Sequence, residues 1–318
     1  MIISKETFQR IYKENAVECT CVVLILTNDC NASCRACIGQ HVFKSALCKD
    51  LCYAYEPKCV RCCDHTASDE KFYSELREIL KTINSPIVDI IISGGEPTLS
   101  PRLLPVLKII DQYHYQYKTL EMETNGAALG KSEIAEELIK HNVRMHLSRY
   151  AISDEANDEE FRYKFNRVTS KDIAQFAKSY GELLGISTVL LKKHIASAQD
   201  LLRFIKYYRQ LGVRQFSFVE VMADTSLRES NKSLLAYYEE QIAPIVELSA
   251  QLEVLGCKKI LENANDAFRI IVHEHEDQRF VMTSSNLSVQ YKQVTENAFS
   301  RFLIMPSGDI GVNGIEVR

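Results

Sequence analysis

No apolar run in this sequence approaches the roughly 20 residues that a membrane-spanning helix needs, so no membrane partner is expected. Proline (7) and glycine (12) are scarce in 318 residues, which argues against long disordered or collagen-like stretches. A positive excess is missing as well. The 38 Lys and Arg against 42 Asp and Glu leave a net charge of −4. Without a basic face, neither nucleic acid nor an anionic membrane is expected as the main partner. The opening MIISKETFQR has no apolar core of the kind a secretory signal carries, and a cytoplasmic location is the expectation. No internal repeat or low-complexity segment is visible. At about 150 residues per domain, the length suits two domains or one α/β barrel with an appendage.

Cysteine is what the chain has in excess. Of 11 cysteines, ten fall between Cys19 and Cys63, and only Cys257 lies elsewhere. Thiols in a reducing compartment do not form a disulfide framework, so the cluster reads as metal-binding.

Short β-branched runs alternate with amphipathic patterns along the chain. The runs occupy 22–27, 88–93, 118–124, 143–148, 186–191 and 215–221. They are mostly apolar, as strands covered on both faces are. Between them, Phe72, Leu76, Ile79, Leu80 and Ile83 recur at helical spacing, Ser100-Pro101 and Ser197 mark helix starts, and Gly212 marks a stop. A long helix over 233–255, kinked at Pro244, is expected next, followed by strands at 268–273, 280–283, 287–291 and 299–305. Six strands alternating with helices imply parallel βαβ units with right-handed crossovers.

Directly after the first strand comes Cys30-x3-Cys34-x2-Cys37. Three thiolates on a tight loop can ligate three corners of a [4Fe–4S] cluster and leave the fourth iron open, or they can form a structural zinc site. Gly94-Gly95-Glu96-Pro97 ends the second strand, and Thr124-Asn125-Gly126 ends the third. In motif, order and strand-end position, residues 20–225 resemble the radical SAM superfamily. That resemblance implies a fold, an α/β partial (βα)6 radical SAM barrel with a small C-terminal α+β extension. The corresponding domains are a lead-in at 1–20, a core at 21–232 with a Cys-rich insertion at 40–65, and a helix and α+β extension at 233–318. It also implies a chemistry. S-adenosylmethionine chelates the open iron, one electron cleaves its C5′–S bond, and the resulting 5′-deoxyadenosyl radical abstracts hydrogen from a substrate. An oxidoreductase or lyase is expected, served by a flavodoxin- or ferredoxin-type electron donor.

The motifs at the strand ends are similar to those of the GTP 3′,8-cyclase branch. Gly94, Gly95, Glu96, Thr124, Ser148, Arg149 and Met222 fall where S-adenosylmethionine would be held, the two glycines allowing backbone to approach its amino group. Two departures separate the chain from that branch. Ala36 stands where an aromatic residue usually precedes the third cysteine, and no trio of cysteines follows the barrel. GTP cyclisation is therefore not assigned.

A second group, Cys48, Cys52, Cys59, Cys62 and Cys63, lies in 40–65 between His41 and His65. It can close a zinc site or hold an auxiliary iron–sulfur cluster. Cys19 and Cys21 alternate on the first strand and read as packing residues. On later strands Glu121 and Glu123 share one parity, and so do Arg144, His146 and Ser148. Same-parity residues of a barrel face its interior together. Glu123, His146 and Glu220 are accordingly the expected catalytic residues. A small organic molecule or a peptide is the expected substrate, the absence of evident peptide-recognition segments favouring the former. The other reading, a zinc-stabilised binding protein without radical chemistry, is disfavoured by the intact cysteine and GGEP motifs.

Overall fold

The computed structural model describes residues 2–3, 21–37, 68–83, 87–113, 117–221, 232–264, 268–285, 301–304 and 310–312. Cys19, Cys48, Cys52, Cys59, Cys62, Cys63, Met222 and the strand expected at 287–291 lie outside the described residues.

After the two-residue strand β1 (Ile2–Ile3) come β2 (Cys21–Ile25), β3 (Ile87–Ser93), β4 (Tyr117–Thr124), β5 (Arg144–Ser148), β6 (Leu184–Leu190) and β7 (Gln215–Glu220). The last six pair in parallel, each with the next. All six parallel strands anticipated from the sequence are present. Parallel neighbours need a crossover, and helices supply it. They are α1 (Asp69–Thr82), α2 (Leu103–Asp111), α3 (Ser132–Lys140), α4 (Asp154–Phe161), α5 (Ser170–Tyr180) and α6 (Ala198–Gln210). Their starts follow local chemistry. Ser68, Ser153, Thr169 and Ser197 each accept a backbone N–H of the first turn, and Thr169 with Asp172 forms a reciprocal capping box. Ser100 accepts from Arg102 N–H in the turn before α2, so that helix begins two residues later than the Ser-Pro pair suggests.

One face of each strand feeds the core beneath the helices. Leu24, Ile90, Ile92, Leu120, Met122, Met145, Leu147, Ile186 and Phe218 are buried there with Phe72, Leu76, Val106, Ile173, Leu201 and Phe204. Burial of a side chain of this size contributes about 1.5–3 kcal/mol, so this layer fixes register. The alternate residues, including Ile91, Glu121, Glu123, His146, Ser187 and Ser217, form the opposite, partly exposed face.

Beyond the barrel strands, the long helix expected around Pro244 is two helices, α7 (Lys232–Gln241) and α8 (Ile245–Val254). Pro244 cannot continue the first and stands immediately before the second. Then follow β8 (Lys258–Ala264), β9 (Phe268–His275), β10 (Gln278–Ser285), β11 (Arg301–Ile304) and β12 (Ile310–Val312). This C-terminal part continues the barrel sheet at both edges. β10 pairs in parallel with β7 and carries β9 and β8 outward, while β11 pairs in parallel with β2 and carries β12 and β1. Strand order is linear, β1-β12-β11-β2-β3-β4-β5-β6-β7-β10-β9-β8, so β2 and β7 are not joined and the barrel is open.

Candidate functional site

The C-terminal ends of β2 to β5 bring three motifs together. As the chain leaves β2 it turns over the end of β3, with Gly95 N–H donating to Thr27 O at 2.7 Å and Glu96 N–H to Asp29 O at 2.8 Å. A Cβ on Gly95 would lie 2.1 Å from Asp29 O. One on Gly94, whose φ is +150°, would lie 2.7 Å from Thr27 O. The paired glycines are thus required by the approach of the cysteine loop itself, before any ligand is considered.

Glu96 is 1% exposed and binds the motifs to each other. Its carboxylate accepts from Thr98 N–H (3.0 Å), the Thr98 hydroxyl (2.5 Å), the Thr124 hydroxyl (2.6 Å) and Asn125 N–H (2.7 Å). Burial raises its pKa against the lowering effect of those donors. Asn125 then donates to Asn31 Oδ1 at 2.8 Å and to Cys30 Sγ at 3.6 Å. Asn31, fully buried, donates to Phe165 O at 3.0 Å. Ser33 and Arg35 N–H reach Phe161 O and Glu160 O, so the loop bearing the cysteines is held on both sides.

Around that loop lies a small apolar shell of Ala32, Ala36, Tyr150, Phe161, Leu191, Val221 and Tyr238, with Cys30, Cys34 and Tyr163 against it. Ala32 N–H donates to Cys30 Sγ at 3.4 Å, and the Tyr150 hydroxyl stands within electrostatic reach of Cys34. Burial pushes both thiols above their ordinary pKa, so a bound metal would be what keeps them ionised. Among the described residues no three His, Cys, Asp or Glu side chains converge on a point as ligands of a single ion do. Cys30, Cys34 and Cys37 nonetheless stand within electrostatic reach of one another, an arrangement that suits a polynuclear cluster, whose own width separates its ligands.

Outside the loop, Glu160 is completely buried and accepts from Tyr237 OH at 2.9 Å while pairing with Lys193 and with His194 at 3.3 Å. Burial would raise its pKa, but these partners outweigh it and hold the carboxyl at about 2. Asn157, also buried, accepts from Tyr150 and Ala151 N–H and so fixes the turn after β5. Nothing in the local sequence pattern marked Glu160 or Asn157. Tyr150 directly follows the Ser148-Arg149 pair and could have been found there.

Two expected residues stand elsewhere than anticipated. Arg149 is 1% exposed, with Nε donating to Tyr208 OH (3.1 Å), one terminal nitrogen to Val168 O (2.9 Å) and the other to Asp154 (2.9 Å). Neighbouring strand residues point to opposite faces, so Ser148 faces the barrel interior while Arg149 braces α4 and α6 from behind. Glu220 shares the parity of Phe216 and Phe218, and its carboxylate accepts from Ile245 N–H at 3.0 Å. It meets the N-terminal turn of α8, where a negative charge is favourable, rather than the interior.

The interior does receive Glu121, Glu123 and His146. Glu121 lies opposite Arg144, and Glu123 opposite His146. His146 Nε2 is 3.2 Å from Glu121 Oε2, an ion-pair contact without good hydrogen-bond alignment. The contact with His146 lowers the pKa of Glu121. For His146, burial acts to lower the pKa, but Glu121 and Glu123 prevail and raise it. A cavity of about 500 Å³ lined by Arg203, Lys206, Arg209, Arg214 and Phe280 lies at the other end of the strands and has no part in this constellation.

The sequence model of the radical SAM superfamily matches residues 24–225, from the first core strand to just past the last. The chain belongs to the radical SAM superfamily. Solved structures with a similar fold include SuiB of Streptococcus suis, 14% identical at a TM-score of 0.55, over 95% of this chain and 62% of that one. SuiB bound to precursor peptide SuiA is 15% identical at a TM-score of 0.50, over 95% and 61%. Coproporphyrinogen III oxidase (HemN) from Escherichia coli is 9% identical at a TM-score of 0.48, over 95% and 66%. At these identities the likeness to the two SuiB structures is one of fold alone. The chain spans 61% to 66% of the length of these SuiB and HemN structures. A search of the curated proteins finds no match. Among the described residues no helix is long and apolar enough to cross a membrane.

Radical SAM membership implies an enzyme with a [4Fe–4S] cluster and S-adenosylmethionine, and the three loop thiols, with N–H donors on Cys30, fit that cluster.

Proposed function

We propose that this radical SAM protein holds its cluster on Cys30, Cys34 and Cys37, holds S-adenosylmethionine over the ends of β3 to β5, and abstracts hydrogen from a small organic or peptide substrate lodged against the barrel interior. The observation that carries this reading is the junction at Glu96, which joins the GGEP turn to Thr124 and Asn125 and, through Asn125, to Cys30. When bound, the cluster supplies the electron that cleaves S-adenosylmethionine. Gly94, Gly95, Thr124 and Ser148 lie at the strand ends where that cofactor would sit. Glu121, Glu123 and His146 line the deeper interior and would orient the substrate, with His146 and the acids able to hold or pass a proton. The tyrosine-rich shell would keep water from the reactive face. SuiB, whose structure contains the peptide SuiA, makes a peptide substrate chemically reasonable for the same fold. Electrons would come from a flavodoxin- or ferredoxin-type donor, and the reaction would be an oxidation or an elimination.

The anaerobically purified protein should form 5′-deoxyadenosine from S-adenosylmethionine under reduction, and the joint Cys30→Ala, Cys34→Ala, Cys37→Ala variant should form none. Undiminished product from the triple variant would end the assignment. Glu123→Gln and His146→Gln should leave S-adenosylmethionine affinity within about twofold while raising its unproductive cleavage. Lost affinity with normal coupling would reverse the placement of cofactor and substrate.

A further inference from the structure

Two of the tyrosines beside the cysteine loop end in hydroxyls that are buried and have no hydrogen-bond partner among the described residues, Tyr163 and Tyr238. A third, Tyr150, is buried with its hydroxyl within electrostatic reach of Cys34. The three come from separate parts of the chain: the end of β5, the segment after α4, and α7. All three rest on the same apolar shell as Ala32 and Ala36, and the ring of Phe161 meets Tyr150 at a tilt (4.9 Å) and stacks on Tyr163 (4.8 Å). Tyr163 stands within electrostatic reach of Cys34, and Tyr238 within reach of Cys37. Buried hydroxyls are almost always satisfied, so two orphans, one near Cys34 and one near Cys37, point to an acceptor beside those sulfurs. Cys30 already receives N–H donors from Ala32 and Asn125, so the tyrosines supply donors on the Cys34 and Cys37 side.

We propose that the hydroxyls of Tyr150, Tyr163 and Tyr238 donate hydrogen bonds to the sulfurs of the cluster held by Cys30, Cys34 and Cys37, and that they raise its reduction potential. This rests on the cluster assignment made above. Reduction adds one electron and makes the thiolate and sulfide sulfurs more negative. A donor therefore stabilises the reduced form more than the oxidised one. In the dry shell of Phe161, Leu191 and Val221 that difference is larger than it would be in water. The same shell disfavours the more negative reduced cluster, and the hydroxyls offset that effect.

The test is a redox titration of the anaerobic protein followed by electron paramagnetic resonance, in wild type and in Tyr150→Phe, Tyr163→Phe and Tyr238→Phe, with iron and sulfide counted in each. Removing an orphan hydroxyl leaves no protein group unsatisfied, so Tyr163→Phe and Tyr238→Phe should fold and load as the wild type does. Their potentials should shift to more negative values, and the shift should grow in the double variant. Pulsed resonance of the reduced wild type in D2O should show exchangeable deuterons coupled to the cluster, fewer in each variant. Full clusters with unchanged potentials and unchanged deuteron couplings would overturn the proposal and leave the family chemistry standing. A wild type that binds no iron and sulfide would remove the cluster assignment itself.

Discussion

At the scale of single residues, Gly95 and Gly181 show how differently one residue type can be constrained. A Cβ at Gly181 meets nothing within 4 Å, and only its φ of +56° opposes a side chain. A Cβ at Gly95 runs into the backbone of Asp29 at 2.1 Å. Gly181→Ala should therefore cost about 1 kcal/mol from strain alone. Gly95→Ala should cost about 1–3 kcal/mol from overpacking and should also lose iron, because the clash displaces the loop carrying Cys30. Thermal unfolding with iron analysis separates the two, and equal iron retention would refute the distinction. Arg149 makes the parallel case for charge. Its cation is buried against Asp154, so Arg149→Met should destabilise the fold by about 3–5 kcal/mol in denaturant titrations. A variant of normal stability with weak S-adenosylmethionine binding would instead return Arg149 to the cofactor. The sequence held the information to separate Ser148 from Arg149, since successive residues of a strand face opposite ways, but reading them as one polar pair obscured it. The cysteine, GGEP and TNG motifs were legible because each is contiguous. Asn157 and Glu160 were not, because their partners lie on other segments.

Among the elements, strands with buried faces were readable and an edge strand was not. The stretch that forms β8, KKILENA, has no apolar alternation, and every residue in it is exposed. It holds its place by pairing with β9, and its Lys and Glu residues suit an edge that must not recruit another sheet. Glu220 was misplaced for a related reason: its end of β7 is governed by the start of α8, which strand parity alone does not reveal. Between α8 and β9, His273 is fully buried, with Nε2 2.9 Å from Ser249 Oγ and its ring stacked on Phe280. Burial lowers its pKa despite the nearby carboxylates of Glu253 and Glu262, with Lys259 assisting. The unfolded chain takes up a proton near pH 6.5 that the folded chain refuses, so stability should fall as pH drops below that point. The slope is at most about 1.4 kcal/mol per pH unit. His273→Leu should flatten the dependence of Tm on pH between 7.5 and 5. An unchanged slope would mean that another group carries it.

For the molecule as a whole, eight of the 11 cysteines divide between a loop set by the barrel and the segment 40–65. Metal analysis of the Cys30, Cys34 and Cys37 triple variant isolates the second group. We expect it to retain metal, with about one zinc marking a structural site and iron with sulfide marking an auxiliary cluster. A folded variant with no metal would return Cys48, Cys52, Cys59, Cys62 and Cys63 to ordinary packing. The alternation of six strands and helices announced the parallel barrel, because short apolar runs separated by amphipathic helical patterns leave a strong local signal. How the C-terminal strands attach was invisible, because which edge a strand joins is decided by partners far away in the chain.

That attachment also bears on the order of events during synthesis. β2 leads straight into the cysteine loop, and one of its two neighbours, β11, begins at Arg301. At about 5–20 residues per second, the ribosome needs roughly 15–60 s after finishing β2 to deliver that neighbour. Throughout this interval the strand beneath Cys30, Cys34 and Cys37 keeps an unpaired edge, so the newborn chain carries these three thiols before their platform is complete.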